Sequence, residues 1–246
     1  MRRVIIAFAV AAPVALIALW PHAPLAAIGI LALSHALLLY PTLRPNVQWL
    51  GPVVTWFEPE GNEVWLTIDD GPTGDTAAIL DILDARSAKA TFFVKGVLAR
   101  QRPDLIRAIV ERGHGVGNHS DTHPSATFWC LTPAAIAAEI DGCTAAIPPT
   151  PWFRAPVGMK NPAVHPALAR RGMRLIGWSA RGFDGVSTDI DQIVRRILPR
   201  AFPGAIVVLH QGREASAACI ARVVDELRAR GYAFVIPADE RLKTKR

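Results

Sequence analysis

The sequence predicts an α/β chain: a parallel sheet closed, or nearly closed, as a distorted barrel behind two apolar helical spans. Three observations predict it. The first 48 residues are almost wholly apolar and contain no acidic residue. From residue 63 onward short apolar runs alternate with helical patterns, as in a parallel sheet with crossover helices. The ionisable residues of that second part gather just after the apolar runs, where such barrels keep their chemistry.

Composition bounds the rest. The 246 residues are room for one large domain or two small ones. Half the chain (51%) is apolar and 20% is charged, which excludes a disordered chain. The mean hydropathy of +0.25 is high for a soluble domain, and the surplus sits at the front. The net charge of +6 is front-loaded too: Arg2, Arg3 and Arg44 lie within 1–48, leaving 24 basic against 21 acidic residues in 49–246. Those basic residues are scattered without aromatic interleaving, so no nucleic-acid partner is expected. Cys130, Cys143 and Cys219 form no CxxC pair, so neither a zinc ribbon nor a disulfide framework is indicated.

Residues 1–48 read as a membrane anchor of two short spans, about 4–20 and 25–40, joined by a Pro-rich turn at Pro21-His22-Ala23-Pro24. Each run reaches roughly 25 Å against a hydrocarbon core of ~30 Å. A single kinked span or a signal peptide fits less well, and a buried core hairpin would show a polar face that both runs lack. The bilayer is therefore an expected partner and the cell (inner) membrane the expected location. Under the positive-inside rule, two spans return the chain to the cytoplasm, whereas one span leaves it periplasmic. Arg2, Arg3 and Arg44 tilt the balance slightly towards two spans and a cytoplasmic catalytic part.

Residues 49–62 are expected to form a connector with Trp49 and Trp56, and 63–246 the α/β unit. Strands are expected over 64–68, 90–94, 115–118, 152–154, 174–178, 205–209 and 233–236. Helices are expected over 75–86, 103–112, 133–147, 162–171, 189–198 and 214–230. Several begin with Asp or Pro and end in Arg-Gly (Arg112-Gly113, Arg171-Gly172, Arg230-Gly231), which suits the helix dipole and an αL stop.

The strand ends carry the chemistry. The first runs into Asp69-Asp70-Gly71-Pro72, the third into His119-Ser120-Asp121-Thr122-His123, and the fourth into Arg154-Ala155-Pro156-Val157-Gly158. The fifth is followed by Phe183-Asp184-Gly185, and the sixth ends in His210. Alternation sends Asp69 and Asp70 to opposite faces unless the Gly-Pro turn re-aims one of them. Two adjacent anions in a partly buried site call for a cation. His119 and His123 are four apart, a spacing that lets both imidazoles face one metal if the segment turns helically. With Asp70 they make a three-ligand site that leaves room for water, as metal-assisted hydrolysis needs. Each motif alone is ordinary: an Asp-rich capping turn, a loop histidine, an arginine beside a proline. Their assembly at one end of the sheet is what points to catalysis.

The ordered set TIDDGP, HSDTH, RAPVG, FDG and VLH resembles the five motifs of the polysaccharide deacetylases, the NodB-homology carbohydrate esterases (family 4), over about residues 63–237. The resemblance implies a distorted (β/α)7-type barrel and a divalent metal, zinc first, with cobalt, nickel, iron or manganese also compatible with the donors. It implies hydrolysis of an N-acetyl, or more rarely N-formyl, group on an amino sugar. By resemblance Asp69 is the general base, Asp70, His119 and His123 hold the metal, and Arg154 pairs with Asp69. His210 is the general acid, Asp184 orients it, and the Val157 N–H serves the oxyanion. The chain departs from the family at Gly185, where Trp is common, at Val157, where an aromatic is common, and at Ile68, where Phe is usual. Phe183 and Trp178 are the candidate replacements for the lost sugar-stacking groups.

Three functions compete on these grounds. One is a membrane-anchored deacetylase of an envelope glycan. Another applies the same chemistry to a lipid-linked or small amino-sugar precursor at the cytoplasmic leaflet. The third is an inactive glycan-binding barrel. Phosphoryl transfer fits poorly, since no Gly-rich loop with Lys follows the first strand.

Overall fold

The computed structural model describes residues 1–244, so the last two residues of the unit expected over 63–246 lie outside the described residues. Two helices lead the chain, α1 (Arg2–Leu19) and α2 (Pro24–Leu43), both long and apolar enough to cross a membrane. They pack as a hairpin, with Ala12, Ala27 and Ser34 buried between them, small residues that permit close helix approach. α2 runs on through Pro41, past the expected end near residue 40.

The connector then enters the sheet. Val54 forms a parallel bridge with Ile176, and β1 (Trp56–Phe57) pairs antiparallel with β8 (Ala205–His210) and β10 (Leu242–Lys243). β1, β10 and a strand at Ala180–Arg181 were not expected; two-residue strands carry no readable periodicity. The other strands are β2 (Glu63–Gly71), β3 (Ala90–Val94), β4 (Gly115–Asn118), β5 (Trp152–Phe153), β6 (Arg174–Leu175), β7 (Ala180–Arg181) and β9 (Ala233–Phe234). The order is β10-β1-β8-β2-β3-β4-β5-β6, with β7 also on β8 and β9 also on β2. All pairings except those of β1 are parallel, and the curled mixed sheet is a distorted barrel. The strand expected over 174–178 stops at Leu175 because the next residues take other partners. Gly177 donates to the Val54 carbonyl, and the Asn46 amide donates to the Trp178 carbonyl.

Helices cover the outside: α3 (Thr76–Asp84), α4 (Gly96–Gln101), α5 (Pro103–Glu111), α6 (Pro133–Thr144), α7 (Val164–Ala169), α8 (Ile190–Ile197) and α9 (Ser216–Ala229). α4 was not expected, being a single short turn-and-a-half. Side-chain parity sorts the strands. Val64, Leu66 and Ile68 of β2, with Val207 and Leu209 of β8, join the helices in the outer core. Trp65 of β2, Phe93 of β3 and Ile206 and Val208 of β8 fill the barrel interior with Phe57, Ile176 and Trp178. Each such side chain fully removed from water contributes ~1.5–3 kcal/mol. The same parity sends Thr67, Asp69 and His210 inward, at the C-terminal end of the sheet.

Candidate active site

Asp69 and His210 end adjacent parallel strands and are direct register partners, so a carboxylate and an imidazole face the interior side by side. Asp70 is re-aimed. It has φ 78°, and the β2–β3 register shifts between Asp69 and Gly71, so two neighbouring carboxylates reach one pocket. Backbone of this kind is costly and recurs here. Of the six described non-glycine residues with positive φ, five lie at this end of the sheet, Asp70 in the last residues of β2 and Ser120, His123, Val157 and Phe183 beyond the strands, with Ser87 the exception.

Asp70, His119 and His123 offer ligand atoms that all lie within 4.8 Å of one another. His119 and His123 do not sit on a helical turn, as their spacing had suggested. An irregular loop carries them, and the left-handed Ser120 and His123 fold it so that the rings lie 4.6 Å apart. The His119 Nδ1 bonds the Arg154 carbonyl at 2.8 Å; a carbonyl only accepts, so Nδ1 carries the proton and Nε2 keeps its lone pair. Nε2 of His119 and of His123 lie 3.9 and 3.5 Å from Asp70 Oδ1. That oxygen is buried and makes no hydrogen bond, with Lys95 Nζ in an ion pair at 3.2 Å. Burial opposes ionisation of Asp70, but His119, Lys95, His123 and His210 outweigh it and hold the carboxyl at about 2. Burial lowers both imidazoles, His123 to about 4. An ionised carboxylate whose Oδ1 makes no hydrogen bond, beside two neutral imidazoles, is a donor set suited to a divalent cation.

Beside it lies a buried ion pair. Arg154 is 0% exposed and donates to Asp69 Oδ1 at 2.7 Å and to Thr67 Oγ1 at 2.8 Å. Its other nitrogens donate to the carbonyls of Ile176 and Gly177, and its guanidinium stacks 4.2 Å from the Phe93 ring. Burial lowers the Arg154 pKa and Asp69 opposes that shift. Opposite, Asp184 accepts from the His210 backbone N–H at 2.6 Å and contacts His210 Nδ1 at 3.1 Å. Burial disfavours the imidazolium, yet the Asp184 hydrogen bond and charge, with Asp69 and Asp70, raise His210 above its ordinary value. Nε2 of His210 is left for the pocket.

The pocket holds about 360 Å³ and is lined by Asp69, Asp70, His119, His123, Val157, Trp178 and His210. A larger cavity of about 810 Å³ lies elsewhere, between the start of α1 and the α7–β6 region, and contains none of these groups. Arg154 and Asp184 stand behind the pocket wall. Trp178 is 9% exposed and packed near Arg154 and Arg181, whereas Phe183, 42% exposed, sits on a neighbouring cavity. Gly185 opens the wall, since a Cβ there would touch only the His210 ring at 3.6 Å or more. Sequence reasoning missed Lys95, Arg181 and Arg213, which also line the pocket. Lys95 directly follows β3, so the strand-end rule itself reaches it. Arg181 gives no such signal, because β7 is only two residues long.

These features recur in known proteins. Residues 58–176 match the polysaccharide deacetylase family pattern. A chitooligosaccharide deacetylase of Bradyrhizobium sp. (strain ANU 289) is 34% identical over 189 residues, 72% of this chain and 84% of that protein. A peptidoglycan-N-acetylglucosamine deacetylase of Bacillus cereus is 31% identical over 206 residues, 78% of this chain and 94% of that protein. The structure of a family 4 carbohydrate esterase from Streptomyces lividans, in complex with acetate, superposes with a TM-score of 0.66 at 30% identity, covering 73% of this chain and 95% of that one. With a third of the aligned residues identical across most of such a relative, the chain belongs to the polysaccharide deacetylase family.

Proposed function

We propose that this chain is a membrane-anchored, metal-dependent hydrolase that removes an N-acetyl group from an amino sugar of a glycan. The carrying observation is that a carboxylate held by Arg154 and an imidazole held by Asp184 face one pocket beside the Asp70, His119 and His123 cluster. A binding barrel needs neither acid nor base.

In this reading Asp70, His119 and His123 hold the ion, zinc first. The ion supplies Lewis acidity towards water and the amide carbonyl. Asp69, oriented by Arg154, takes a proton from the attacking water. His210, protonated at Nε2 while Asp184 holds Nδ1, delivers a proton to the departing amine nitrogen. The backbone N–H of Val157, on a loop strained at φ 48°, serves the developing oxyanion. Gly185 leaves the pocket open beside the His210 ring. Acetate release from N-acetylglucosamine oligomers or peptidoglycan, abolished by a chelator and restored by zinc, is the expected result. Undiminished release in excess chelator overturns the metal reading.

The pH profile follows from His210. Its raised value keeps the acid form populated above the ordinary imidazole range, so activity falls only when pH passes the raised value. Asp184→Asn removes the hydrogen-bonded charge, so the alkaline limb of kcat/KM is expected to move to lower pH. A limb that stays in place excludes His210 as the acid.

The hairpin (1–48) supports anchoring, and its geometry bears on orientation. Arg2 and Arg3 line a cavity with His165 and Met173 of the barrel, and Lys160 bonds the Arg44 carbonyl, so both hairpin ends lie on the barrel side. Three arginines at that end favour a cytoplasmic barrel under the positive-inside rule. In intact cells a membrane-impermeant maleimide is expected to label His22→Cys, in the distal turn, but to reach the exposed Cys130 only after lysis. The reverse pattern places the barrel outside.

A further inference from the structure

A second cavity, of about 620 Å³, adjoins the catalytic pocket at the foot of the hairpin, and the two share Trp178 and Arg181 as a common wall. Tyr40 and Arg44 from the end of α2, with Phe183 and Arg200 from the barrel, line its far side. No acidic side chain lines it. Among the described residues Arg44, Arg181 and Arg200 take part in no ion pair. Arg181 is half-buried, with its guanidinium 5.3 Å from the Trp178 ring and 4.4 Å from the Phe183 ring and its Nε buried without a partner. The Asp184 and Asp69 carboxylates act on it from a distance without pairing, and a guanidinium held between aromatic rings keeps its planar fork oriented, which suits a phosphate.

The hairpin is stapled to this rim. Lys160 Nζ donates to the carbonyls of Arg44 and Pro45 at 2.8 Å each, neutralising the negative end of α2. A Cβ on Gly158 would lie 2.6 Å from Trp178 and 2.7 Å from Pro45, so the glycine lets the Val157 loop and the hairpin's foot touch. Tyr40 packs 5.0 Å from Trp49, and both are partly exposed there, while Trp20 is exposed at the other end of the hairpin. Amphipathic aromatics at both ends of an apolar stretch mark the two membrane–water interfaces. The cavity therefore opens at headgroup level, with exposed apolar side chains such as Leu39 and Leu43 beside it.

We propose that this cavity binds the phosphate of a lipid-linked amino sugar, so that the sugar enters the catalytic pocket from the membrane surface with its phosphate on Arg181, Arg44 and Arg200. The inference rests on the deacetylase reading and names its substrate class. Water adds to the amide, acetate leaves, and the sugar nitrogen departs as a protonated amine; the phosphodiester is not broken.

The test compares acetate release by the full chain in detergent micelles from four substrates. These are dodecyl N-acetylglucosaminyl phosphate, the neutral dodecyl N-acetylglucosaminide, N-acetylglucosamine 1-phosphate and a chitooligosaccharide. The lipid phosphodiester is expected to exceed each of the others by about tenfold or more in kcat/KM. Arg200→Glu is expected to bring it within about twofold of the neutral glycoside, while Arg195→Glu, outside both cavities, keeps the preference. Parity of the charged and neutral lipids, a preference that survives Arg200→Glu, or a chitooligosaccharide preferred to both overturns the subsite and leaves the deacetylase reading standing. Equal turnover of the lipid-free phosphate overturns the lipid as occupant. Acetate from none of the four overturns the deacetylase reading and this inference with it.

Discussion

Asp69→Asn is expected to lower acetate release by about 10³-fold in kcat while the protein keeps its bound metal. The amide has the carboxylate's shape and still accepts from Arg154, but it takes up no proton, so the attacking water loses its base. The adjacent Asp70→Asn is expected to act differently. Asp70 is one of the three candidate metal donors, so its loss is expected to remove metal along with activity. Metal content after dialysis, measured on both variants beside kcat, separates the roles. Retention of a tenth of the activity by Asp69→Asn, or equal metal loss in the two, would reject the assignment. The comparison is demanding because Asp69 Oδ2 also lies 3.9 Å from His119 Nε2; the re-aimed backbone of Asp70 and the bond of Asp69 to Arg154 distinguish the pair.

Arg154→Met is expected to be the most destabilising single change near the site, at ~3–5 kcal/mol. Arg154 has no exposure to solvent, and the substitution strands the Asp69 carboxylate, itself 3% exposed, without its cation. It also strips the Ile176 and Gly177 carbonyls of their donor. The denaturant midpoint of the full chain in micelles is the measurement. The double change with Asp69→Asn is expected to recover part of the loss, since no buried charge is then left unpaired. If both single changes cost under about 1 kcal/mol and simply add, the buried pair is not coupled.

Much of the molecule was legible without coordinates. Apolar runs at strand spacing, Arg-Gly helix stops and ionisable residues after each run are local signals, and they marked the α/β class, most elements and the residues that now face one pocket. The two apolar spans stood out because nothing in them offers a polar face. Less visible were β1, β10 and the bridge at Val54, where pairing is set by distant backbone and two residues leave no periodic trace. The aim of Asp70 was likewise undetermined, since strand alternation alone points it away from the site. A positive φ at a register shift turns it in. Lys95 and Arg181 became site residues only once neighbouring strands brought them to a shared wall.

The chemistry of this protein was thus written in its sequence, since carboxylate, imidazole and guanidinium keep their identities wherever they fall and strand ends collect them. What the tertiary structure alone decided was adjacency: Asp69 beside His210 by register, and the catalytic pocket beside the foot of the hairpin by Lys160, Asn46 and Gly158. The reason is physical. Residue type and periodicity are properties of a segment, whereas register, loop strain and the meeting of elements more than a hundred residues apart are settled only when the whole chain packs.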